Sequence, residues 1–181
     1  VHERVKDIPD DERARAFFLF QYNDSTIMTS GQLFFGQWWA DAIGAVNVAN
    51  ELTTDNSVTV NLEQVYDWNP DIIFMTNFNT FQPDDLYNNT VGTYDWSGIQ
   101  AVQDKSVYKM PLGMYRSYTP GIDTPITLLW MAKTTYPTLF EDIDVTQRAI
   151  DYYETVFGVT LTSEQVESIF APISAAGTLY F

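Results

Sequence analysis

The chain has 181 residues, no cysteine and a formal net charge of −15. That length suits one domain, and the missing cysteine removes disulfides, thiolate metal sites and cysteine nucleophiles together. The acidity argues against nucleic acid as a partner, which needs a basic face, and no apolar run is long enough to cross a bilayer.

The opening, VHERVKDIPDDERAR, is charged. It lacks the apolar centre of a signal peptide and reads as the end of a helix begun upstream, broken at Ile8-Pro9. Residues 1–15 are therefore set apart from a globular unit over 16–181. Ala16 to Phe20 reads as a buried strand that ends in Gln21-Tyr22-Asn23-Asp24. Thr29-Ser30-Gly31 reads as a turn and a helix start. Leu33 to Ile43 follows as an amphipathic helix stopped by Gly44, then a short extended piece over Val46 to Ala49.

The segment VNLEQVYDWNPDIIFMTN, from Val60 to Asn77, carries the clearest local signal. Asn61 caps a helix, with Gln64 placed to reach back. Leu62, Val65 and Tyr66 give an apolar stripe at helical spacing. Asn69-Pro70 ends it, since a residue before proline avoids the helical region. Ile72-Ile73-Phe74-Met75 is then a strand-length run with no alternation, as expected of a strand covered on both faces.

Residues 76–90 read as a polar, aromatic loop with a helical turn at Pro83 to Leu86. A short helix at Trp96 to Val102, a strand at Val107 to Met110 and a long connection from Pro111 to Tyr118 come next. Helices follow from Thr124-Pro125, with proline at the first helical position, from Val145 to Phe157 and from Ser163 to Phe170. Strands alternating with helices predict an α/β fold: a three-layer sandwich with a mainly parallel central sheet flanked by helices. In such sheets ligands lie beyond the carboxyl ends of the strands. The residues just after the strands are accordingly the candidates.

Arg116 stands out, with Tyr115, Ser117 and Tyr118 around it. Arginine offers a rigid fork of donors to carboxylate, hydroxamate or oxyanion groups, and flanking rings stack on a planar ligand or screen the cation. The competing reading is a pairing with Asp123 or Asp95 that holds the loop. Tyr22, Asn23, Thr29 and Ser30 sit where free helix amides would meet an anion; the competing reading is plain capping by Ser30. Asn77, Phe78 and Phe81 follow the second buried strand as adaptable contacts, or as an ordered surface loop. Trp38 and Trp39 are adjacent and cannot share a helix face. His2 is the only histidine and lies at the start of the chain. Histidine-based metal or catalytic sites are therefore disfavoured, and no Gly-rich phosphate loop is present.

Several segments resemble a family of known proteins. TSGQLFFGQWWADAIGAVNVANEL is similar to the Thr-Ser-Gly…Gly-Gly-Val-Asn-Val-Ala segment of the iron-complex and cobalamin substrate-binding proteins that serve ATP-driven bacterial importers. VNLEQVYDWNPDIIFM resembles their Ser-x-Glu-Gln-Val…Asn-Pro-Asp-Ile-Ile segment. WSGIQAVQDKSVYKMP resembles their Trp-x-x-Ile-x-Ala-Val…Val-Tyr segment, and LLWMAKTTYPTLFEDID their C-terminal helices. The resemblance runs from about Val5 to about Phe170 and covers only the C-terminal lobe of a two-lobed architecture. It departs from the pattern at Gly44-Ala45, where the family has Gly-Gly, and at Asp41, where glutamate is common.

The resemblance implies an extracytoplasmic binding module rather than an enzyme, with no intrinsic cofactor. It implies a ligand that is an iron chelate (a siderophore), haem or a corrinoid, held between this lobe and a missing N-terminal lobe. A small oxyanion of the molybdate or tungstate kind is the alternative. Arg116, Tyr115, Tyr118 and Tyr22 would face the ligand, and Asp41 would dock on an arginine of the ABC permease. Two contrasting readings are a metal-dependent hydrolase built around Asp24 and a structural adhesion domain.

Overall fold

The computed structural model describes residues 1–173, so residues 174–181, the end of the unit expected over 16–181, lie outside it. Among the described residues seven strands form two sheets. β1 (Arg15–Leu19), β4 (Val46–Asn47), β6 (Ile72–Met75) and β7 (Val107–Lys109) make a parallel sheet in the order β4-β1-β6-β7. β2 (Gln21–Tyr22), β3 (Ile27–Ser30) and β5 (Ser57–Val60) make a small antiparallel sheet.

The expected helix start at Thr29-Ser30 is corrected by this second sheet. Asn23 turns the chain back: its side-chain oxygen accepts from the Ser25 amide at 3.0 Å and its own amide donates to Thr26 O at 3.0 Å. Ile27 and Thr29, both β-branched and buried, then alternate inward along β3, a pattern that fits a strand. The helix α2 (Phe35–Ile43) begins only at Phe35, and it ends as expected at Gly44, whose φ of +73° suits glycine.

Registry between β1 and β6 puts Ala16 opposite Ile72, Phe17 opposite Ile73, Phe18 opposite Phe74 and Leu19 opposite Met75. Alternation along these strands splits the core in two. Phe17, Leu19, Ile73, Met75 and Val107 face one side, where they meet Val65 and Trp68 of α3 (Leu62–Trp68), Leu86 of α4 (Pro83–Tyr87) and Ala101 of α5 (Gln100–Gln103). Ala16, Phe18, Ile72 and Phe74 face the other, where they meet Trp39, Ala40 and Ile43 of α2 and Met131 and Ala132 of α6 (Thr124–Thr135). This is the three-layer α/β sandwich with a parallel central sheet that the strand pattern implied. A sheet buried on both faces needs unbroken apolar strands, and Ile72–Met75 supplies one.

α3 starts at the expected cap: Asn61 accepts from the Gln64 amide at 2.8 Å. It stops at Asn69, which takes a left-handed φ of +39°. α7 (Val145–Phe157) and α8 (Ser163–Phe170) add a satellite core of Ala149 and Val166 against Ile126. Of residues 1–15, only α1 (His2–Val5) is α-helical. Arg4 clasps Asp142 through both oxygens, the second at 2.8 Å, and lies over the Phe140 ring. Hydrogen bonding to that guanidinium holds the Asp142 carboxyl down at about 2. The pair is exposed, so it adds little stability.

Candidate ligand-binding site

β1, β6 and β7 all end at one edge of the parallel sheet, and the chain that follows each strand builds a rim there. Phe20 follows β1. Thr76, Asn77 and Phe78 follow β6. The connection from Met110 to Asp123 follows β7. The rings of Phe20 and Phe78 lie 5.2 Å apart, Phe20 and Tyr118 5.4 Å apart, and Phe20 and Phe34 5.7 Å apart. Tyr118 is the floor of this group, 1% exposed, whereas Phe20, Phe34 and Phe78 are half-buried. Burial pushes the Tyr118 phenol well above its usual pKa. The Tyr118 carbonyl accepts from Trp39 Nε1 at 2.8 Å, which ties the floor to α2.

Arg116 sits against this group. Its guanidinium lies 5.0 Å from the centroid of Phe78 and 6.0 Å from that of Tyr115, and the residue is only 8% exposed. Asp123 and Asp95, the carboxylates weighed beside it, each accept other hydrogen bonds. Asp123 accepts from Tyr153 Oη and from the Met114 amide, each at 2.6 Å, and Asp95 accepts from Ser97 and Asn89. The Met114–Asp123 bond closes the 111–123 connection on itself, and the pocket it encloses beside Arg116 is about 90 Å³. That is far below the several hundred Å³ of a typical ligand site, so anything larger must lie on the rim rather than inside the loop.

The predicted residues fall into three groups. Arg116, Tyr115, Tyr118 and Phe78 are brought together, with Tyr115 exposed and Tyr118 sealed beneath the others. Asn77, Thr29 and Ser30 are near the strand ends but are buried framework. Asn77 Nδ2 donates to the Met110 and Pro111 carbonyls at 2.6 and 3.1 Å. Thr29 Oγ1 donates to Phe18 O at 2.9 Å. Ser30 is the last residue of β3 and not the N-cap of α2, which is Phe34, but its Oγ accepts from the Gly36 amide in the first turn of α2 at 2.7 Å.

Tyr22 and Asn23 are not part of this assembly. Tyr22, 2% exposed, lies in the core of the opposite face, its hydroxyl accepting from Trp96 Nε1 at 2.8 Å and its ring 5.4 Å from Phe81. Burial raises its phenol to about 12. Asn23 is exposed at the hairpin tip. Asp24 is exposed beside it, and among the described residues no three His, Cys, Asp or Glu side chains converge to hold a metal ion.

Asp41 is exposed on the last turn of α2, where it accepts from Gln37 Nε2 at 2.8 Å. Trp39 of the adjacent pair is core and Trp38 is 44% exposed. The sequence reading missed Phe20 and Phe34 as rim residues. Phe20 stands after β1 as Thr76 stands after β6, and that equivalence was the available signal. Phe34 was hidden by the misplaced helix start.

No protein-family model matches the chain. Over 161 residues it is 29% identical to the molybdate-binding protein MolA of Haemophilus influenzae, covering 86% of this chain and 42% of that protein. A periplasmic solute-binding protein from Veillonella parvula superposes with a TM-score of 0.84 at 28% identity, over 98% of this chain and 52% of its own. This chain has the fold of one lobe of a periplasmic solute-binding protein. The structure of MolA bound to molybdate gives a TM-score of 0.66 at 27% identity, over 89% of this lobe and 47% of that chain. CeuE of Helicobacter pylori, at 24% identity, shares the fold with a TM-score of 0.72. The lobe spans about half the length of the relatives it matches.

Proposed function

We propose that this chain is one lobe of the substrate-binding component of a bacterial ABC importer, and that the rim around Arg116 is one wall of its ligand cleft. The observation that carries this reading is a single largely buried guanidinium between Phe78 and Tyr115, at the carboxyl edge of a parallel sheet. A cation kept from water interacts strongly with an anion that reaches it, and half-buried rings beside it offer a face to a bulky partner. Function is then capture and delivery, with no bond made or broken. The lobe works outside the cytoplasm, against a second lobe and a permease that Asp41 helps to engage. None of the helices among the described residues is long and apolar enough to cross a membrane.

Two ligand classes have support. The aromatic rim favours a bulky anionic chelate: an iron siderophore, haem or a corrinoid. The likeness to MolA favours a small oxyanion such as molybdate or tungstate. Titration calorimetry on the two-lobed receptor with ferric siderophore, haem, cobalamin and molybdate in turn separates them. The Arg116→Ala variant should bind the preferred ligand about tenfold or more weakly, the equivalent of one charge-assisted hydrogen bond. Unchanged affinity would remove the rim from the site, and binding of none of the four would reject both ligand classes.

A further inference from the structure

Lys109 is the least expected side chain of the fold. It ends β7 opposite Met75, on the face of the sheet away from Tyr118, and is 5% exposed. Its ammonium donates to Asn79 O at 2.9 Å, Asn79 Oδ1 at 3.1 Å and Phe81 O at 2.6 Å. All three acceptors belong to the connection that leaves β6 across the rim. Phe78, the ring against Arg116, is the residue immediately before them.

We propose that Lys109 is a positioning residue of the cleft wall, holding the Phe78 turn over Arg116 from the opposite face of the sheet. The inference rests on the rim being the ligand wall, but the tie itself is geometric. The turn is held at two points on its near side: Thr76 Oγ1 accepts from the Phe78 amide at 3.2 Å, and Asn77 Nδ2 reaches the β7 exit. Beyond Phe78, Lys109 holds Asn79 and Phe81. Three acceptors match the three donors of an ammonium, and a neutral amine has one donor fewer. The tie therefore weakens when the lysine loses its proton.

Burial works against that proton and brings the Lys109 pKa down to about 7, with Asp85 opposing. Asp85 of α4 is the charged group facing it, and its carboxylate also accepts from the Gln82 amide and the Thr90 hydroxyl. Tyr87 of the same helix stacks with Lys105. On β6 its neighbour across the sheet is the uncharged Met75. The folded lysine thus gives up its proton near 7 and the unfolded one near 10.5. Between those values the unfolded chain binds more protons, so global stability rises with pH while the turn loosens. The two effects have opposite signs and cannot be confused.

The test is NMR of the 181-residue chain without ligand, so its failure is distinct from failure of the ligand-wall reading. The Lys109 Cε signal reports its proton, and the Arg116 Nε–H signal reports the Phe78 ring through its ring current. The expected result is that the Arg116 signal and the Asn79 and Phe81 amides shift together with the Lys109 midpoint. In Lys109→Met, which keeps the apolar stem, the Arg116 signal should sit at the high-pH position throughout. An Arg116 signal that ignores the Lys109 titration overturns the proposal, and the wild-type titration alone suffices if the variant does not fold.

Discussion

Two aromatic clusters stand back to back across the sheet. One gathers around Tyr22, with Trp96, Phe81 and Tyr94. The other gathers around Tyr118, with Phe20, Phe34 and Phe78. Both central tyrosines are almost fully buried and have raised pKa values. The first cluster is closed: the Tyr22 hydroxyl is met by Trp96, and helices and loops of one layer cover it. The second runs out into half-buried rings and carries a guanidinium at its edge. On the proposed reading, the wall is marked not by a tyrosine near a strand end but by a cluster of half-buried rings next to a charge.

The largest expected effect lies in the closed cluster. Trp96 is fully buried, so Trp96→Ala should cost about 3–5 kcal/mol in chemical denaturation; a loss under about 1 kcal/mol would mean that the cluster is not sealed. Next, Arg116→Ala should act mainly on binding, by about 1.5–3 kcal/mol. An equal loss of affinity from Trp96→Ala in still-folded protein would erase the distinction between the clusters. Tyr22→Phe removes only the acceptor for Trp96 and should cost about 1 kcal/mol of stability, with ligand affinity unchanged by calorimetry. Asp41→Asn should be smallest, leaving stability within about 0.5 kcal/mol and ligand affinity intact while slowing uptake in a transport assay. Slower uptake is the outcome that ties α2 to the permease.

Much of the fold was legible because it depends on short-range signals. The Ile72–Met75 run, the Asn61 cap, the Gly44 stop and the proline at the start of α6 each specify one conformation locally. The antiparallel sheet was missed because β3 is defined by pairing with β2 and β5, and Thr29-Ser30-Gly31 alone reads equally well as a turn. The site was partly legible for a related reason. Arg116 is conspicuous in a chain with few cations, and Phe78 follows a recognisable strand. Which of Tyr22 and Tyr118 lies under the rim depends on the alternation of the chain three residues past β1, and an error in the following turn hides it. Lys109 was not singled out within the Val107 to Met110 strand, since nothing nearby in sequence shows that Asn79 and Phe81 turn back to meet it.

The central claim is that ligand meets this lobe at the open cluster. Amide NMR spectra of the chain, titrated with molybdate and separately with a diamagnetic gallium(III) siderophore, test it directly. For the ligand that binds, shifts should concentrate at Phe20, Phe34, Phe78 and residues 114–118, leaving the Tyr22–Trp96 side unmoved. Shifts centred on Tyr22, Phe81 and Trp96, or on α7 and α8, would contradict the account.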